Sequence, residues 1–130
     1  MSAKTNEATV RQFCSAWDSL DLEGILALMS ENAIYHNMPL DPLVGQQQIK
    51  NFIGGFFTLT KACRFEMLNL TADDQRVVTE RLDTFDLQDG SSMKELPVLG
   101  IFEFDADGKI SAWREYWDLK HWVERGGPAL

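Results

Sequence analysis

The chain has 130 residues, a net charge of −8, two cysteines, and 45% hydrophobic against 25% charged residues. That length suits a single domain over residues 1–130 with a substantial core. The acidic balance argues against sequence-independent binding of nucleic acid, which needs Lys and Arg clustered against phosphates, and no apolar run approaches the ~20 residues that span a bilayer. Met1 to Asn6 lack the continuous apolar stretch of a secretory signal, so the expected location is the cytoplasm. Cys14 and Cys63 are far apart and have no CxxC spacing, and they are expected to be reduced core residues.

In chain order, Val10, Phe13, Cys14, Trp17 and Leu20 recur at three- and four-residue spacing, which predicts an amphipathic helix over about 5–20. Asp21 is a candidate cap for a second, short helix through Leu22, Ile25, Leu26 and Met29, closed by Ser30-Glu31-Asn32. Ala33 to Asn37 is a short extended candidate stopped by Met38-Pro39. A loop from Pro39 to Gly45 then leads to a third helix over about 46–57, with Ile49, Phe52, Ile53, Phe56 and Phe57 on its apolar side. From Cys63 the period changes to two. Strands are expected over 63–70, 77–87, 93–104 and 110–119, separated by turn chemistry at Thr71 to Gln75, Asp89-Gly90 and Asp105 to Gly108. Pro97 implies a bulge, bend or edge in the third of these. A short helical tail is expected around His121 to Glu124. Helices followed by a meander of long strands is an α+β pattern: N-terminal helices packed in the concave face of a strongly curved mixed or antiparallel sheet, a cone.

Chemistry concentrates on the strand Thr79-Glu80-Arg81-Leu82-Asp83-Thr84-Phe85. Alternation puts Thr79, Arg81, Asp83 and Phe85 on one face, and the strand alone leaves open whether that face looks outward or into a core. Inward, its charges must be paired or used, because burying them otherwise is costly. Tyr35 and Asn37 likewise share a face, His36 takes the other, and Asp118 falls at the expected end of the last strand. Trp113 and Trp117 lie on opposite parity to Arg114, Tyr116 and Asp118, and on an outer face they would suggest a dimer contact. Taken singly, Arg81 and Asp83 more often form a cross-strand ion pair than a site, and Asp118 alone is explained as a cap beside the tail helix. His36 and His121 suit exposed or structural roles and make a poor metal site.

Together, Tyr35-x-Asn37-Met38-Pro39, Arg81-x-Asp83 and a late Asp118 resemble the limonene-1,2-epoxide hydrolase (LEH) family. That family belongs to the cone-shaped fold shared with ketosteroid isomerase, polyketide cyclases and nuclear transport factor two. The resemblance implies that Asp118 is the general base for water, that Tyr35 and Asn37 hold that water, that Asp83 protonates the epoxide oxygen, and that Arg81 bridges the two aspartates. It also implies a homodimer, a small apolar epoxide as substrate, and neither metal nor organic cofactor. Met38, Phe56, Phe85, Leu96, Val98 and Tyr116 are the expected pocket wall. The competing readings are an isomerase or cyclase with one carboxylate base, which gives Arg81 no obvious task, and a non-catalytic small-molecule-binding cone.

Overall fold

Helical spacing of apolar residues organises the first segment. In the computed structural model, which describes residues 2–130, α1 (Ala3–Asp18) turns Val10, Phe13, Cys14 and Trp17 into the core. Ser2 starts it with a capping box, accepting from the Thr5 amide at 3.1 Å while the Thr5 hydroxyl accepts from the Ser2 amide. Asp21 caps α2 (Leu22–Ala27) through a 2.9 Å bond from the Gly24 amide. The next strand, β1 (Met29–Asn37), starts four residues before the expected Ala33, because Met29 already pairs with Ile110. Within the expected loop, β2 (Leu43–Val44) pairs with Ile34 and Tyr35. The first difference arises from a partner distant in sequence and the second from a two-residue pairing across a loop, and residue periodicity is blind to both. The third helix, α3 (Gln46–Thr58), buries Ile49 and Ile53 and carries Gly54-Gly55 within its length.

The rest is a meander of β3 (Thr60–Ala72), β4 (Arg76–Leu87), β5 (Ser92–Phe104) and β6 (Ile110–Tyr116), closed by α4 (Leu119–Glu124). The six strands form one mixed sheet in the order β2-β1-β6-β5-β4-β3, antiparallel except for the parallel pair β1 and β6. This is the expected α+β arrangement, with α1 packed over β3 and β4. Pro97 sits inside an unbroken interior strand, opposite Leu82. The irregularity lies just before it, where the β4–β5 register shifts and Glu95 takes φ 55°. Arg125, beyond α4, donates to the carbonyls of Lys94 (3.1 Å) and Glu95 at that bulge, tying the tail to the sheet.

Two expectations fail at the end of β6. The strand stops at Tyr116 rather than Leu119, because Asp118 is the N-cap of α4 and accepts from the amides of Lys120 (2.8 Å) and His121 (3.3 Å). The inward parity is that of Trp113 and Glu115, which are 1% and 3% exposed, whereas Tyr116 is 43% exposed on the outer face beside Leu99. Tyr116 is therefore no part of a pocket wall, and Trp113 is no surface residue.

The core centres on Trp113. Its ring stacks on Tyr35 (centroids 4.3 Å, interplanar 9°) and on Phe102 (5.6 Å, 14°), and Phe13 of α1 meets it edge-on at 4.8 Å. Such aromatic pairs add to what burial alone contributes. Phe13 is fully buried, so Phe13→Ala is expected to lower unfolding free energy by about 3–5 kcal/mol in urea titration.

Candidate active site

The alternating face of β4 points inward. Thr79 and Arg81 are fully buried and Asp83 nearly so, with Phe85 completing the row. Full burial of a guanidinium demands a partner for each of its N–H groups, and Arg81 has them. Nε and Nη2 donate to the two carboxylate oxygens of Asp83 at 3.1 and 2.9 Å. Nη1 donates to Thr79 Oγ1 at 2.9 Å and Glu115 Oε2 at 3.2 Å, and Nη2 also donates to Glu115 Oε1. All five guanidinium N–H groups are thereby used, two forks on two acids and one bond on a hydroxyl. The Phe65 ring stands 4.5 Å from the guanidinium carbon as a further, cation–π partner.

Arg81 thus bridges two acids, as expected, but the second is Glu115 and not Asp118. Asp118 lies past the strand end with its side chain committed to capping α4. The β1–β6 register sets Asn37 against Glu115 and Tyr35 against Trp113. Tyr35, Asn37, Asp83 and Glu115 consequently line one cavity, about 480 Å³ including its open mouth. Phe56, Phe85, Leu96 and Val98 line it as expected, together with Trp17, Phe52, Phe65, Trp113, Trp117, Trp122 and Leu130. Met38 does not: it follows the strand end, and its amide donates to the Glu115 carbonyl at 2.9 Å. Trp117 Nε1 donates to Asn37 Oδ1 at 2.9 Å. That bond commits the amide oxygen and turns the NH₂ toward the Tyr35 hydroxyl.

Burial governs the titration. It pushes the Glu115 carboxyl up to about 7, against the opposing pull of Arg81, and it raises Asp83 for the same reason. For Arg81, burial works against the charge, but Asp83 and Glu115 outweigh it and hold the guanidinium well above its ordinary value. One cation between two acids is neutral only when the acids share one proton, so the pair titrates as a unit and favours the singly protonated state. Burial also raises the Tyr35 phenol, with Glu115 adding to the effect, so Tyr35 keeps its hydroxyl proton as a donor. The Trp113 N–H faces the Glu115 carboxyl closely enough to favour its ionised form. Even so, neither it nor the Trp17 N–H makes a hydrogen bond among the described residues.

Comparison with known proteins places this arrangement. The model of the SnoaL-like domain matches residues 10–113, most of the chain. The chain belongs to the SnoaL-like domain family. Within reach of that family, it is 30% identical over 118 residues to the epoxide hydrolase EphG of Mycobacterium tuberculosis, covering 85% of this chain and 71% of EphG. An LEH-like epoxide hydrolase structure from M. tuberculosis superposes with a TM-score of 0.83 at 22% identity, over 95% of this chain and 90% of that one. A putative polyketide cyclase from Xanthomonas campestris superposes as well, with a TM-score of 0.85 at 18% identity over 95% and 97%. The expected resemblance to the LEH family and its cone fold is borne out, and the structural likeness to the cyclase establishes the shared SnoaL-like fold alone.

Glu115 and Gly100 are the members of the site that sequence reading did not find, and Thr79, placed on the right face by alternation, was given no role there. Gly100 sits between Thr79 and Glu115 in the sheet. A Cβ there would stand 2.7 Å from Arg81 Nη1 and 2.8 Å from Thr79 Oγ1, and closer still to Glu115 Oε2. The glycine is a notch that lets the ion cluster lie flat on the sheet. Gly100→Ala is therefore expected to lose about 1–3 kcal/mol of stability by overpacking and to displace Glu115, which a crystal structure of the variant checks. Because burial raises both acids of the pair, Glu115 from 4.5 to about 7, the folded chain holds one proton shared between them across a window in which the unfolded chain has released it. Its contribution is complete below pH 4.5 and is lost as pH climbs to about 7. Urea titration across that window should show stability falling, with a flatter profile in Glu115→Gln.

Proposed function

We propose that the protein is an epoxide hydrolase that adds water to a small, mostly apolar epoxide to give a vicinal diol. The observation that carries the reading is one buried arginine forking onto two acids at the wall of an apolar cavity, with a tyrosine and an amide beside one of them. Opening an epoxide needs a nucleophile at carbon and a proton on the departing oxygen, because an alkoxide leaves poorly. Glu115 is the general base: it is the acid beside Asn37, so water held by the Asn37 NH₂ and the Tyr35 hydroxyl is within its reach. Asp83 is the general acid, acting from the state of the pair in which the shared proton rests on it and Glu115 is ionised. As water oxygen bonds to a ring carbon and the carbon–oxygen bond breaks, Glu115 takes a water proton and Asp83 gives its proton to the epoxide oxygen. Arg81 stays charged throughout and holds both carboxyls in place.

The assignment moves the base from Asp118, as the sequence suggested it, to Glu115, and leaves the acid on Asp83. A lone-base isomerase or cyclase has no use for the second acid, although the SnoaL-like fold accommodates such enzymes. The direct test is incubation with limonene oxide and cyclohexene oxide in ¹⁸O water, reading labelled diol by mass spectrometry. Label is expected in one hydroxyl, and absence of diol from both epoxides sinks the hydrolase reading. Asp83→Asn and Glu115→Gln should each cut kcat/KM by about 10²–10⁴-fold, the usual worth of a positioned acid or base. Asp118→Asn should keep kcat within a few-fold and lose at most about 1 kcal/mol of stability, as a cap does. Activity should also be bell-shaped in pH, failing on the acid side when both carboxyls are protonated. On the alkaline side it should fall as the shared proton is lost, from about pH 7 upward, the region to which burial raises Glu115.

A further inference from the structure

The cavity lining sorts by exposure into a floor and a rim. Tyr35, Asn37, Asp83 and Glu115 are buried at the polar end, whereas Phe52 and Phe56 of α3, Trp117 and Leu130 are partly exposed and mark the mouth. Leu130 differs from the other three. It belongs to the stretch after α4, to which the hydrolase reading gives no task, and it lines the cavity while 48% exposed.

The sequence builds that stretch to come back over the cavity wall. Gly126, at φ 86°, ends α4 in a Schellman turn: its amide donates to the Val123 carbonyl at 3.1 Å, and the Gly127 amide donates to the Trp122 carbonyl at 2.8 Å. The chain thereby reverses onto the Trp122 indole. Gly127 lies so flat on the ring that a Cβ there would fall inside contact distance of Cε2, Cδ2 and Nε1. Trp122 Nε1 then donates to the Pro128 carbonyl at 2.8 Å. Trp122 is itself buried in the wall, beside Phe85 (centroids 6.0 Å) and Trp117 (5.6 Å), so the returning chain is fastened to the cavity and not to distant surface. Beyond Pro128 no hydrogen bond holds Ala129 or Leu130 among the described residues. The stretch is thus tied at one point and loose at the mouth.

We infer that residues 126–130 are a strap across the cavity mouth, latched by the Trp122 indole, and that Leu130 is the stop that limits how far a bound molecule extends. This sets the length of the substrate, and it rests on the hydrolase reading only for the group that reacts, since the stop acts on any apolar chain. A chain growing outward from the polar end gains burial with each methylene until it meets Leu130. A longer one must lift the strap, losing the bond between Trp122 and Pro128, or leave its end in water.

The test is binding of primary n-alkanols, butanol to decanol, to the full chain by isothermal titration calorimetry. Affinity is expected to rise about fourfold for each added methylene up to one length and then to stop rising. In Leu130→Ala that break should move to longer alkanols, and in Leu130→Trp to shorter ones; both changes fall at a half-exposed position and leave the core untouched. Gly127→Ala forces the chain off the indole, so it should erase the break and shift the Trp122 indole proton in ¹H–¹⁵N spectra. A steady rise through decanol in the unaltered chain overturns the inference. So does a break that Leu130→Ala leaves in place, or one that persists when the Trp122 resonance shows the latch released. Should Gly127→Ala fail to fold, the two Leu130 variants decide. The terminal 1,2-epoxides of the same lengths separate this claim from the hydrolase one. No diol from any of them, with the alkanol break moving as expected, removes the hydrolase reading and keeps the strap. Diol formation with a break indifferent to Leu130 removes the strap and keeps the hydrolase.

Discussion

One guanidinium shared by two buried acids is the constraint around which this protein is built. A charge as deep as that of Arg81 is tolerable only if its N–H groups are all met and its countercharge is fixed in place, and the sheet supplies both. Thr79 and Asp83 come from its own strand, Glu115 from two strands away, and Gly100 between them stays bare so that the three can touch. Removing any one partner leaves part of the buried guanidinium's N–H set unmet, so the cluster is held together as a unit and not as separate pairs. The apolar walls make the interaction stronger in the same measure as they make its loss costly.

The same arrangement suits the chemistry. In the proposed opening of an epoxide the proton count of the acid pair does not change: one acid gains what the other gives. The net charge around Arg81 is therefore constant from reactant to product, and the surrounding side chains have no new charge to accommodate. Orientation comes from the other strand of the parallel pair, where Tyr35 is clamped by its stack on Trp113 and Asn37 by the indole N–H of Trp117. Rigid aromatic supports of this kind hold both polar groups in fixed positions, which is what orienting a water in the proposed reaction requires.

Much of this was legible in the chain itself, and the failures have a common cause. Alternation along 79–85 and 35–37 identified Arg81, Asp83, Tyr35 and Asn37, because period two is a local property that folding preserves. The second acid was misplaced because the last strand was extended to Leu119, which made Asp118 look like a strand residue, whereas a helix cap ends the strand three residues earlier, at Tyr116. A signal was present: Trp113-Arg114-Glu115-Tyr116-Trp117 alternates large aromatics around one acid, and counting from the tryptophans puts Glu115 inside. Alternation also put Thr79 on that face, but Gly100 was beyond reach of any local pattern, since its role depends on which strands become neighbours. The early start of β1 and the two-residue β2 were missed for the same reason.

The parallel register of β1 on β6 has a meaning of its own. Asn37 faces Glu115 only because the two strands meet at that offset, and His36, one position back, is turned the other way with Nε2 against the Leu40 carbonyl at 3.1 Å. A shift of a single residue would exchange the amide for an imidazole at the same spot in the cavity. The same shift would also turn Ala33 and Tyr35 out of the core, so the alignment of two strands, as much as the identity of either side chain, decides which polar groups line the cavity.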